Sequence, residues 1–455
     1  MERMTSALPR PLVSGAVHVP QDADYAPEIA AFNTDIRHTP DLVVTAADAD
    51  DVVRSVAFAR EHGLSVSVQS TGHGAHTAVA GGLLVSTRRL NTVSIDPDTR
   101  TATVGGGTQW GAVVAAAAQH GLAPIPGSSA TVGVVGYLLG GGLGPFARSH
   151  GFSSDYALGF TVVTGAGELV EATADENPDL FWALRGGKYG LGVVTEVRVR
   201  LVELDPLYAG ALFFAEEDIE AAMRTWADWT ASADPAVSTS AAVIRFPPLD
   251  VVPEPFRGRR LLSLRFAYPG SAADGERLAA PLRAAAPVYL DALAEMPAAQ
   301  MARIHNDPTQ PGPSWTTGTM LTHLDKSAVD VLLSHVGAGT DEPFVAMEVR
   351  HLGNATSRDV PEGSAVGGRE GAYVLGLVSL PVPDLFRTAT PAAAAALVGD
   401  LTPWRAAETT INFANMQRPG EPAARSWSPE VTRRLSEVRH RYDPAGVLAV
   451  PHGVE

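Results

Sequence analysis

The stretch of this 455-residue chain best equipped for chemistry is Gln69-Ser70-Thr71-Gly72-His73-Gly74, a histidine set among small residues. It follows directly on a strand-like run, Leu64 to Val68. A second glycine-rich segment, GSSATVGVVGYLLGGGLG, runs from Gly127 to Gly144. Glycines let a backbone come close to a ligand, and successive N–H groups form nests for phosphate oxygens. Two such loops at this separation suggest a large planar ligand gripped through backbone amides, with His73 placed to touch it. Gly133 to Gly136, followed by Tyr137 to Gly142, could open a helix toward an anion.

Other chemistries are weakly supported. No GxGxxG, GxxxxGK[ST] or GxSxG spacing occurs, so dinucleotide, P-loop and nucleophile-elbow sites lack their signatures. The chain has no cysteine, which excludes disulfides, zinc thiolates, iron–sulfur clusters and thiol nucleophiles. His73 and His76 have a spacing that could bind a metal, but no acidic or third ligand stands near, and no metal is expected. Net charge is −16, which argues against nucleic acid and anionic membranes as partners. Met1 to His18 shows no apolar run after its basic residues, and no stretch approaches 18 apolar residues. The expectation is a cytoplasmic protein without a signal peptide.

The elements that must position these loops can be read in outline. Leu42 to Thr45 reads as a strand. Asp48 to His62 reads as a helix, with acidic residues in its first turn and Gly63 closing it. Short strands follow at Leu83 to Ser86, Val93 to Ile95 and Thr101 to Val104, then an Ala-rich helix from Trp110 to His120. Thr161 to Thr164 and Glu168 to Ala172 flank a Gly165-Ala166-Gly167 turn as a hairpin. Pro178 to Leu184 reads as a short helix, and Val193 to Leu201 as an alternating strand. Beyond Tyr208 the texture changes. Strands at Ala209 to Phe214, Ala241 to Phe246, Leu261 to Ala267, Pro343 to His351 and Ala372 to Leu380 alternate with helices at Glu216 to Ala231 and Ala328 to Val336. The tail, Ser428 to Tyr442, reads as an amphipathic helix. The fold class is therefore α+β, with a second domain of mostly antiparallel sheet covered by helices on one face.

With these motifs in order, the chain resembles the berberine bridge enzyme-type FAD-linked oxidoreductases of the vanillyl-alcohol oxidase (PCMH-type) superfamily. Its architecture and length resemble the bacterial branch that includes 6-hydroxy-D-nicotine oxidase and tailoring oxidases of secondary metabolism. The resemblance rests on Val66 to Gly74, Gly127 to Gly144, Glu176 to Gly187, Gly192 to Thr195 and Tyr442-Asp443-Pro444. It implies an FAD-binding domain over 1–205 (core about 36–205), a substrate domain over 206–404, and a C-terminal segment, 405–455, returning to the first domain. It also implies covalent FAD through His73. Ser129 stands where relatives carry a second, cysteinyl link, so a single bond is expected. Val132 matches the oxygen gatekeeper. Gln69, Ser70, Thr71, Gly72, Gly74, Ser128, Gly133, Gly136, Tyr137 and Gly142 are expected to line the cofactor, Val193 and Val194 to meet its adenine end, and Asn412 to face the flavin. The sequence departs from the family at Gln69, Thr71, Tyr189 to Gly192, Thr410 and Pro451-His452. Thr410 stands where sugar oxidases carry a basic tyrosine, which counts against carbohydrate substrates.

A proton acceptor is expected from the substrate domain. Strand alternation over Val345 to His351 places Met347, Val349 and His351 on one face and Glu348 with Arg350 on the other. His351, Glu348, Tyr373 and His323 are the candidates. The implied reaction is two-electron oxidation of a C–O or C–N bond in a small organic molecule from secondary metabolism, with O2 reduced to H2O2. A flavin dehydrogenase that ignores O2 and a redox-neutral cyclase on the same scaffold are the alternatives.

Overall fold

Buried apolar residues at Leu42 to Val44 and Leu83 to Val85 make the centre of the first sheet. Its order is Ala16–His18, Leu42–Thr45, Leu83–Ser86, Val66–Gln69, and the last three strands run parallel. Parallel pairing needs a crossover, which the Ala49–His62 helix supplies. Asp48 caps that helix by accepting from the Asp51 amide. The Val66–Gln69 strand releases the chain into the His73 loop at the edge of this sheet. The structure, a computed structural model, describes residues 9–381, 385–414 and 426–450.

A second sheet of five antiparallel strands has the order Val93–Asp96, Thr101–Gly105, Val193–Arg200, Ala157–Val163, Leu169–Ala172. Ala157–Val163 and Leu169–Ala172 form the expected hairpin, and Pro178–Leu184 is helical with proline in its first turn. Trp110, Phe160, Phe181, Trp182 and Val197 fill the core on this sheet. The C-terminal helix, Pro429–Tyr442, adds Leu435, Val438 and Tyr442 to the same core. Beyond it, the Val66 amide donates to the Val447 carbonyl at 2.7 Å, so the tail returns to the first sheet.

The third sheet has eight strands among the described residues, all antiparallel to their neighbours. Its central run is Leu207–Phe214, Arg260–Tyr268, Ser238–Arg245, Ala346–His351, Tyr373–Ser379 and Trp315–Leu321. Helices Ile219–Thr230, Ala272–Arg283, Lys326–Val336 and Leu385–Asp400 accompany it, and Met223, Trp226, Leu332 and Leu397 join the core with Met347 and Val349. The other face of Ala346–His351 carries Glu348 and Arg350 toward the first lobe. Arg148 ties the lobes together. Its guanidinium donates to the carbonyls of Asp234 and Val237, and its amide donates to Ser238 Oγ at 3.0 Å. Among the described residues no helix is long and apolar enough to cross a membrane.

Candidate active site

The His73 loop packs so tightly on the N-terminal segment that Gly72 must be glycine. It takes φ +70, and a Cβ there would stand 2.6 Å from the Ala31 Cα. The His73 ring stacks on Phe32, 3.5 Å between centroids and 16° from parallel. Its Nε2 lies 2.9 Å from Thr131 Oγ1, and that hydroxyl lies 3.1 Å from Ser129 Oγ. Nδ1 makes no hydrogen bond to a described residue. Burial pushes the imidazole pKa down to about 4, against the opposing pull of Thr131 and Asp307. The ring is therefore neutral at pH 7. Both glycine-rich segments meet here, since a Cβ on Gly133 would lie 3.1 Å from Ser70 Oγ.

The second segment is built around Tyr137. Its ring lies between Gly127 and Gly142, where an added Cβ at either position would strike it. Gly142 also takes φ +83, so side chain and conformation both demand glycine. Trp110 meets the ring edge-on at 6.1 Å. One turn of helix separates Gly133 from Gly136, where Lys188 Nζ donates to the Gly136 carbonyl at 2.7 Å and to Asn412 Oδ1 at 2.8 Å. Asn412 Nδ2 in turn donates to the Tyr137 carbonyl at 2.9 Å.

Polar residues from the second lobe face this groove. Ser128 Oγ donates to Asp307 Oδ2 at 2.6 Å, across the lobe boundary. Glu348 accepts from Arg265 NH1 at 2.5 Å, from Arg350 Nε at 2.8 Å and from Ser240 Oγ at 2.7 Å. Arg350 also donates to the Leu143 carbonyl of the first lobe at 3.0 Å. Burial alone would raise the Glu348 pKa, but Arg350, Arg265 and His305 hold it well below the usual carboxylate range. The carboxylate is thus a structural anion with its oxygens engaged.

The structure brings together Ser70, His73, Ser128, Ser129, Gly133, Gly136, Tyr137 and Asn412. Other sequence candidates lie elsewhere. Gln69 turns its side chain to the Ile29 and Ala30 carbonyls. Val193 and Val194 bury theirs in the lobe cores, leaving only backbone for a ligand. Tyr373 donates to or accepts from Thr230 at 2.7 Å and stacks on His351, within the core of the large sheet. His351 shares that stack, and burial, aided by Arg148, pushes its pKa down to about 3. His323 is exposed beside Asp325. Thr410 is buried, with its hydroxyl donating to the Gly140 carbonyl. Val132 packs partly buried on the first core. Pro451 and His452 fall outside the described residues. Asp307, Lys188, Arg265 and His305 were not among the sequence candidates.

Residues 40–173 match the FAD binding domain family. Among curated proteins, (R)-6-hydroxynicotine oxidase of Paenarthrobacter nicotinovorans is 39% identical over 206 residues, 44% of either chain. The FAD-linked oxidoreductase pgmH of Aspergillus terreus is 32% identical over 218 residues, 46% of this chain and 44% of its own. Each match thus spans less than half the relative's length. The whole fold is similar to 6-hydroxy-D-nicotine oxidase from Arthrobacter nicotinovorans, with TM-score 0.84 and 24% identity over 98% of both chains. It is also similar to glucooligosaccharide oxidase from Acremonium strictum, described with a 6-S-cysteinyl, 8α-N1-histidyl FAD, with TM-score 0.81 and 19% identity over 97% of both chains.

Fold and groove define a two-lobed FAD-binding protein. Residues 40–173 belong to the FAD binding domain family, and the whole fold is similar to that of 6-hydroxy-D-nicotine oxidase. The groove suits that cofactor. A Cβ on Gly74 or Gly136 would meet nothing within 4 Å, so both positions leave open space beside the backbone.

Proposed function

We propose that this chain is a flavoprotein oxidase of a small organic molecule, oxidising a C–N or C–O bond in secondary metabolism within the cytoplasm. His73, Ser70, Gly133, Gly136, Tyr137 and Asn412 would hold FAD, with His73 Nδ1 forming one covalent link. The observation that carries this reading is the engaged Nε2 and open Nδ1 of a neutral His73, at the junction of both glycine loops. With the proton on Nε2, that nitrogen donates to Thr131 Oγ1 and Nδ1 presents its lone pair to the groove. Ser129, having no thiol, cannot add a second link.

When bound, FAD would supply two-electron hydride chemistry at a substrate carbon, with O2 as the electron acceptor and H2O2 as its product. The chain's own part is to seat the substrate between groove and sheet and to take a proton. Glu348 is tied to two guanidinium groups, and Tyr373 is tied to Thr230 within the core. Asp307 is the better acceptor. Ser128 fixes Oδ2 and leaves Oδ1 for the substrate proton. Arg350 and Glu348 form the polar wall that orients the substrate and excludes water. A neutral amine, which gives up hydride with little help from a base, suits this sparse machinery well.

Acid precipitation of wild type and His73→Ala tests the reading. Yellow colour should remain in the wild-type pellet and leave the variant's. A screen of amines and alcohols under air, with peroxide detection, should then find substrate. Reduced enzyme that stays reduced in air would make it a dehydrogenase. A product isomeric with its substrate would make it a cyclase.

A further inference from the structure

We propose that Lys188 is a positioning residue for electron transfer, its ammonium facing the pyrimidine edge of the bound flavin ring and favouring the reduced cofactor. The inference rests on FAD occupying the groove described above.

Lys188 is an unusual residue where it stands. It follows Gly186 and Gly187 and takes φ +63, a left-handed conformation that disfavours a residue with a side chain. The strain persists because the backbone is fixed, with the Lys188 amide donating to the Leu139 carbonyl at 2.9 Å. The side chain then spends two of its three N–H donors on neutral acceptors, Gly136 O and Asn412 Oδ1. Among the described residues no carboxylate comes within 4.0 Å of the ammonium. An ammonium held only by neutral acceptors has no counter-charge until a ligand supplies one. Burial pushes the Lys188 pKa down to about 8, which leaves it mostly charged at pH 7 in need of such a partner.

The location says which part of the cofactor that is. Asn412 is followed by Phe413, which packs on the substrate sheet. A Cβ on Gly318 would lie 3.0 Å from the Phe413 carbonyl, and one on Gly376 would lie 3.7 Å from its ring. The Arg350 guanidinium sits 5.2 Å above the same ring. Lys188 and Asn412 therefore mark the seam where the groove meets the substrate sheet, and the reacting ring must lie at that seam. The cofactor diphosphate belongs with the amides of the two glycine loops. Two-electron reduction with uptake of one proton leaves negative charge on the pyrimidine edge of the ring, and a cation held there in a poorly screened site stabilises it. The bonds to Gly136 and Asn412 hold the ammonium in place beforehand.

The test uses the FAD-loaded protein and two readouts independent of turnover: the midpoint potential and the affinity for sulfite, whose flavin adduct is likewise anionic. Lys188→Met removes the charge. Lys188→Gly removes charge and backbone strain together, so it keeps the fold even where the methionine variant does not. Lys188→Arg restores the charge. Both neutral variants should lose about tenfold or more in sulfite affinity, and their potential should fall by about 30 mV for each tenfold change in the two-electron equilibrium. The arginine variant should recover most of both. Neutral variants with wild-type potential and sulfite affinity would overturn the proposal. So would weaker FAD retention at unchanged potential, which places the cation at the diphosphate. Failure of the wild type to hold FAD would instead overturn the reading of the groove itself.

Discussion

The His73 Nε2 atom and the Thr131 hydroxyl stand 2.9 Å apart, 58 residues apart in sequence, and this contact selects which ring nitrogen is open. Thr131→Val keeps the shape and removes the partner. The imidazole then loses about 1 kcal/mol of hydrogen bonding and its fixed tautomer. The expected outcome is a lower fraction of acid-stable flavin with total FAD content unchanged, measured by absorbance of pellet and supernatant. An unchanged acid-stable fraction would show that Phe32 stacking alone orients the ring.

The His73 loop was readable in sequence because it is local: a strand, then small residues, then a histidine. The Pro178–Leu184 helix was readable for the same reason, since proline marks its first turn. Other elements hid behind residues that break helices in isolation. The Ala272–Arg283 helix contains Gly275 and Pro281, and Leu385–Asp400 contains Pro391. Gly275 is there to let the Tyr208 ring approach, a tertiary demand with no sequence signature. Trp315–Leu321, rich in threonine and interrupted by Gly318, forms a strand by pairing residue for residue with Tyr373–Ser379. Alternation correctly separated Glu348 and Arg350 from Met347 and Val349. It could not reveal that Arg265, two strands away, would claim the carboxylate. Asp307 and Lys188 lie in loops, and only the meeting of lobes gives them neighbours.

The Glu348 cluster yields a stability prediction. Glu348→Gln leaves Arg265 and Arg350 facing each other with little exposure to water. Breaking one side of a buried ion pair costs about 3–5 kcal/mol. Chemical denaturation of the second lobe should show a loss of that order, whereas Glu437→Gln, which removes an exposed pair with Arg433, should cost under about 0.5 kcal/mol. Equal effects would mean that solvent reaches the Glu348 cluster.

Acid should weaken the fold through His351. Its folded pKa is about 3, against 6.5 for an ordinary histidine, because burial and Arg148 disfavour its cation. Between those values the unfolded chain binds the extra proton, so stability rises with pH across that window. The contribution is complete above pH 6.5 and is lost as pH falls toward 3. His351→Leu, which keeps an apolar group against Tyr373, should flatten the dependence of Tm on pH over this range. An unaltered slope would assign the acid sensitivity to other groups.

Asp307 gives the sharpest test of the proposed proton transfer. Asp307→Asn retains the Ser128 contact at Oδ1 or the amide and removes the proton acceptor. For an alcohol substrate kcat should fall by about 10²–10⁴, the usual worth of a positioned base. Flavin content and the acid-stable fraction should stay as in wild type. Ser128→Ala, which frees the carboxylate without removing it, should cost far less and leave the pH profile in place. An amine substrate should suffer less from Asp307→Asn once the pH is high enough to deprotonate the amine in solution. Comparison of kcat against pH for the two substrate types then separates the residue's two duties. A loss that vanishes at high pH for the amine but persists for the alcohol marks Asp307 as the proton acceptor. An equal loss for both at every pH marks it as a clasp between lobes.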